Sequence, residues 1–176
     1  TNADPTDLNE TVESFFEDNE YFTSFELGLT SAQERIYLDN LHVTLWHVDK
    51  RDAAGTPSGW GANFSWNTWL GERWMPFLRA GYADEGGSLL EVAISAGAGF
   101  RTDRGSVLGF AGHWGKPNEN TYGADLRDQY VGEVYFRWKV GDYLEISPNL
   151  QLIVDPALNP EQDETWIFGL RVKGAL

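Results

Sequence analysis

A chain of 176 residues fits one domain. Its 27 acidic and 13 basic residues give a formal net charge of -14, which excludes nucleic acid as a partner because phosphate binding needs clustered Lys and Arg. It has no cysteine, which excludes disulfides, thiolate zinc sites and a cysteine nucleophile.

The first segment, Thr1 to Asn19, is polar and acidic, contains Asp4-Pro5, and shows no clear period. It reads as a loop or an unanchored end, with residues 1–20 set apart from the rest. Phe15-Phe16 is a weak signal for a short helix. The chain opens on Thr1 with neither Met nor a signal peptide, the expectation for a processed form or a fragment.

Nine strand candidates follow, each alternating apolar with polar or small residues. In the first, Phe25, Leu27 and Leu29 alternate with Glu26 and Gly28. In the second, Leu41, Val43 and Leu45 alternate with His42, Thr44 and Trp46. The third sets Trp60, Ala62, Phe64 and Trp66 against Gly61, Asn63, Ser65 and Asn67. The fourth sets Trp74, Leu78, Ala80 and Tyr82 against Arg73, Phe77 and Arg79. The fifth runs from Leu90 to Phe100, with Glu91, Ser95, Gly97 and Gly99 on its polar parity. The sixth sets Leu108, Phe110 and Trp114 against Gly109 and His113. The last three present Val134-Phe136-Trp138, Leu144-Ile146-Leu150-Leu152 and Trp166-Phe168-Leu170-Val172. Pro76 is expected to open its strand, and Pro148 to force a bulge or local distortion.

Most candidates run about 9–12 residues, near the roughly 9–11 that a tilted strand needs to cross hydrocarbon. Strands of soluble domains average nearer 5–6. Mean hydropathy is -0.40 and no stretch approaches the roughly 20 apolar residues of a spanning helix. A barrel survives both observations, because only alternate residues of its strands meet lipid. Aromatics make up 14% of the chain, with 8 Trp, which suits membrane-interface belts better than a sandwich core.

Tight connectors at Asp103-Arg104-Gly105 and Gly141-Asp142 alternate with longer ones at 49–58, 116–128 and 155–164. That is the pattern of short periplasmic turns and long outer loops, and only the short 83–87 connector breaks it. An Arg or Lys at the lipid midplane costs about 2–4 kcal/mol. Glu133, Arg137 and Lys139 therefore face a lumen, and the apolar parity faces out. The fold class expected is all-β, an antiparallel transmembrane barrel with about nine strands here. The alternative is a soluble carbohydrate-binding β-sandwich, which would turn the same apolar parity inward.

The closing segment Ile146-Ser-Pro-Asn-Leu-Gln-Leu-Ile-Val-Asp-Pro-Ala-Leu-Asn-Pro160, followed by Trp166-Ile-Phe-Gly-Leu-Arg171, resembles the closing strands of the carbohydrate-selective porins of the OprB type. Further pieces of the resemblance are Pro76-Phe-Leu-Arg-Ala-Gly-Tyr-Ala-Asp84, Val107-Leu-Gly-Phe-Ala-Gly-His-Trp-Gly115 and Glu133-Val-Tyr-Phe-Arg137. The resemblance implies a 16-stranded outer-membrane porin passing mono- and oligosaccharides by diffusion, with accompanying ion transport. Residues 21–176 would then be the C-terminal part of the barrel, and the constriction loop would lie upstream. The partners implied are sugars and outer-membrane lipid, as a monomer or a homotrimer, with no cofactor. The chain ends Gly174-Ala175-Leu176, where such barrels commonly end on an aromatic residue.

Enzyme motifs are lacking: Gly115-Lys116 is followed by Pro117 rather than Ser or Thr, and neither Gly-x-Ser-x-Gly nor His-Glu-x-x-His occurs. His42 and His47 lie five apart on a strand, hence on opposite faces, and cannot share a metal. The acidic 155–164 segment has oxygen ligands but not the spacing of an EF-hand, and reads as a solvated loop. Lumen-facing candidates for a sugar path are Arg79, Glu91, Glu133, Arg137 and Arg171, with Trp46, Trp69 and Tyr135 as stacking partners. Cross-strand pairing that stiffens the wall is the competing role for each of these charges.

Overall fold

Alternating faces and hairpin connectors shape the computed structural model, which describes residues 20–36, 38–52, 54–123, 125–159 and 161–174. The strands are β1 (Phe22–Thr30), β2 (Asn40–Val48), β3 (Gly59–Asn67), β4 (Trp74–Glu85), β5 (Leu90–Arg101), β6 (Val107–Pro117), β7 (Gln129–Val140), β8 (Leu144–Val154) and β9 (Glu164–Gly174). All nine expected segments are strands. The Phe15-Phe16 segment lies outside the described residues.

The strands form one antiparallel sheet in chain order, as short hairpin connections dictate. Among the described residues β1 and β9 pair on one side only, so the sheet is open. The connectors hold two short helical turns, Gln33–Arg35 and Glu119–Tyr122. No helix among the described residues is long and apolar enough to cross a membrane, which says nothing of spanning strands.

Register carries the faces from strand to strand. One row reads Leu27, Val43, Phe64, Ala80, Ile94, Trp114, Tyr130 and Val154. The neighbouring row, on the opposite face, reads Gly28, His42, Ser65, Arg79, Ser95, His113 and Val131. The first face is apolar throughout the strand centres. Nothing among the described residues covers it: Phe168 is 80% exposed, Leu170 70% and Phe25 66%. A soluble sandwich would lay a second sheet there, and the described residues form only one. At about 25 cal/mol per Å2, such a face stays out of water only with lipid or another apolar layer against it.

The connectors fall into two sets. Residues 31–39, 68–73, 102–106 and 141–143 lie at one end of the sheet, and 49–58, 86–89, 118–128 and 155–163 at the other. Apart from 31–39 and 86–89, the first set is short and the second long.

The prolines behave differently. Pro76 is the third residue of β4, and its carbonyl accepts from Thr68 N beyond the last β3 pair, Asn67 with Phe77. Its missing N–H thus falls where the β3 ladder has ended. Opposite Pro148 the β7–β8 pairing lapses between Tyr135–Asn149 and Trp138–Ile146, without a change of register. The distortion is local and no bulge forms there. The register shift lies instead between Leu90 and Val92 on β5.

Candidate functional site

The polar face is built from large side chains laid flat over glycines of the adjacent strand. A Cβ on Gly61 would strike the Trp46 ring, one on Gly109 the Tyr135 ring, and one on Gly169 the Asn149 amide. A Cβ on Gly97 would meet Phe77 at 2.7 Å. Each large residue sits directly opposite its glycine in the register. The glycines clear space for rings to lie along the wall and leave the face concave rather than filled. A glycine inside a strand pattern marks such close approach, and that was the available signal for these pairs.

A concavity of about 680 Å3 opens on this face, mainly over β4 to β8. Trp69, Phe77 and Tyr135 contribute aromatic surface, and its charge comes from Arg101, Arg137 and Lys139 against Glu133 and Glu145. Asn149 Nδ2 donates to Glu133 Oε1 at 3.1 Å, which fixes that carboxylate against the wall. Four of the eight residues singled out in the sequence therefore meet here: Trp69, Glu133, Tyr135 and Arg137.

Arg79 belongs to a second, wholly polar hollow on β1 to β4, with Glu26, His42, Thr44, Asn63 and Ser65. There Thr44 Oγ1 donates to Glu26 Oε2 at 3.1 Å, and His42 Nδ1 lies 3.2 Å from Glu26 Oε1. The Arg79 guanidinium also stands 5.6 Å from the Phe77 ring centroid, a cation over an aromatic face. The sequence reading named Arg79 but missed this hollow. Apart from Glu26 and Arg79 its members are uncharged polar residues, spread over strands β1 to β4, and only register gathers them.

Trp46 lies nearer the long-loop end of the polar face, stacked with Phe22 at 6.1 Å between centroids. Arg171 stands on β9 opposite Ser147. Glu91 is separate from the other seven. It occupies the register shift, and Lys116 Nζ donates to its Oε2 at 2.6 Å. The shift also turns Leu90 onto the face of Gly115, so the parity of β5 does not carry through to Glu91.

Ser95 Oγ and His113 Nδ1 are 2.8 Å apart across β5 and β6. No carboxylate orients His113 among the described residues, so the pair lacks the third member of a hydrolytic triad. From the 118–128 connector, Arg127 Nη1 holds both Asp155 (2.5 Å) and Asp163 (3.0 Å) of the 155–163 connector.

The apolar face carries aromatics at both ends. Trp60, Tyr82, Trp114, Tyr130 and Trp166 lie towards the long-loop end, and Trp66, Trp74, Phe100 and Trp138 towards the other. Trp60 and Tyr82 contact at 5.3 Å between centroids, Trp74 and Phe100 at 4.8 Å. Trp114 Nε1 donates to Asp128 Oδ2 at 3.0 Å, which leaves the ring on the apolar side and its N–H at the polar rim. Along β7, Tyr130 and Trp138 are about 27 Å apart at roughly 3.4 Å per residue. A tilt of about 40° reduces that to about 21 Å, close to the roughly 25 Å apolar band of outer-membrane barrels.

An uncovered apolar band between two aromatic girdles, backed by a polar concave face, defines the class: wall of an outer-membrane channel. The chain belongs to the carbohydrate-selective porins of the OprB family, which it matches over residues 16–176. Porins of this family are channels rather than enzymes and reside in the bacterial outer membrane. No curated protein and no solved structure matches the chain.

Proposed function

We propose that this sheet is part of a 16-stranded barrel through which mono- and oligosaccharides diffuse passively, with residues 21–176 forming its C-terminal portion. The observation that carries the reading is the two-sided sheet: an apolar face with aromatic girdles, and a polar face whose rings lie flat beside fixed charges. The open edges at β1 and β9 also support a larger barrel, because unsatisfied backbone groups in hydrocarbon cost several kcal/mol each.

On this reading the polar face is the lumen. A pyranose offers an apolar C–H face to Trp69 and Tyr135, and hydroxyls to Glu133, Arg137, Arg79 and Arg171. Charged partners make the stronger hydrogen bonds. Conduction demands release as well as capture, so affinity at any one position is weak. Glu91, held by Lys116 at the register shift, lies at the margin of the path.

Liposome swelling tests the reading. The full-length protein reconstituted into liposomes admits glucose and small oligosaccharides at rates that fall with solute size. Swelling no faster than in protein-free liposomes would overturn it.

A further inference from the structure

The register places three arginines in a single row on alternate strands. Arg101 on β5 pairs with Val107 on β6, and Val107 pairs with Arg137 on β7. The β7–β8 register sets Ser147 opposite Arg137, and Ser147 pairs with Arg171 on β9. Neighbouring strands lie about 4.8 Å apart, so successive guanidinium stems are about 10 Å apart around the wall. The adjacent row on the same face adds Lys139 and Lys173, with Glu145 between them.

None of the three arginines makes an ion pair among the described residues. Carboxylates at the long-loop end are differently placed. Asp52 is held by Lys50, Asp155 and Asp163 by Arg127, and Glu91 by Lys116. Among the described residues these carboxylates lie at the long-loop end and are partly neutralised there, while the hollow near the other end is lined by Arg101, Arg137 and Lys139 against Glu133 and Glu145. The two ends are about 27 Å apart along β7. Salt screens over about 8 Å at physiological ionic strength, so the rim does not reach the arginine row, and within the hollow the three cations outnumber the two carboxylates.

We infer that the Arg101–Arg137–Arg171 row is an anion ladder running obliquely along the wall, and that it gives this porin a preference for sugars bearing a carboxylate. Guanidinium groups bind carboxylates bidentately, and rings of Arg or Lys select anions in pores. Phe77 and Tyr135 stand in the concavity beside Arg101 and Arg137, where a sugar ring can stack while its carboxylate is held. The inference rests on the proposed channel reading.

The test uses the full-length protein and the variant Arg101→Gln/Arg137→Gln in liposome swelling, with glucose and the potassium salts of gluconate and galacturonate as probes. The expected result is that the wild type admits the sugar acids faster than glucose, and that the variant slows the sugar acids about tenfold more than it slows glucose. Equal slowing of all three, or no slowing of the acids, overturns the ladder and leaves the channel intact. Failure of glucose itself to enter through the wild type overturns the channel reading instead. A zero-current potential under a KCl gradient gives an independent readout. It should favour chloride in the wild type and shift towards potassium in the variant, and an unchanged potential overturns the ladder.

Discussion

Trp60 donates its indole N–H to Asp84 Oδ2 at 3.1 Å, across the β3–β4 ladder and at the outer end of the apolar face. The two are register partners, so the ring lies over apolar wall while its one polar atom is held at the rim. This is the arrangement an amphipathic ring adopts where hydrocarbon meets water. Asp84→Ala should lower stability by about 1 kcal/mol in a urea titration of the membrane-inserted protein. Trp60→Phe should cost about as much, and the double variant little more than either, because both remove the same bond.

The two faces of the sheet at β8 and β9 should respond oppositely to charge. Phe168→Arg puts a cation near the centre of the apolar band and should destabilise by about 2–4 kcal/mol. Gln151→Arg, on the polar face of the neighbouring β8, should be near neutral. Heat-modifiable migration on gels reports both; equal losses would show that the faces are misassigned.

Gly109 is held open by Tyr135, whose ring occupies the space a Cβ would need. Gly109→Val should therefore cost about 1–3 kcal/mol by overpacking. Adding Tyr135→Ala should recover part of that loss, and this coupling distinguishes a steric clash from a general loss of strand structure.

Asp39 joins two connectors at the short-turn end: Thr68 Oγ1 donates to its Oδ1 at 2.9 Å. Hydrogen bonds from Ser31 and Thr68, with the nearby Arg35 charge, lower its pKa below 3.8. A carboxyl depressed on folding contributes stability above its unfolded pKa and loses it as pH falls through the folded value. Unfolding should ease below about pH 3.8, more steeply in the wild type than in Asp39→Asn. Parallel pH profiles would show that this carboxylate does not matter.

The strands and their two faces were legible because alternation is a local property: each segment shows its own period without reference to its neighbours. Val134, Phe136, Trp138, Phe168 and Leu170 are exposed as expected, and Leu150 is half-covered. What depended on a partner strand was not legible. The shift at Leu90–Val92 exists only relative to β6, and it interrupts the parity from which Glu91 was read. Pro148 broke pairing without adding a residue, because a missing donor interrupts a ladder but need not change its count. Trp46 over Gly61 and Tyr135 over Gly109 required cross-strand register that no single segment contains. Arg101 was passed over for the same reason. It closes β5 as an isolated charge, and only the row through Val107 to Arg137 gives it company.

The central claim, that one parity of this sheet meets lipid and the other water, is tested most directly by single-cysteine labelling, which the absence of native cysteine makes clean. Cysteines placed singly at 133 to 138 on β7 would be probed in intact outer membranes with a small membrane-impermeant maleimide. Positions 133, 135 and 137 should react, and 134, 136 and 138 should not. Uniform labelling along the strand, or the inverse alternation, would contradict the account.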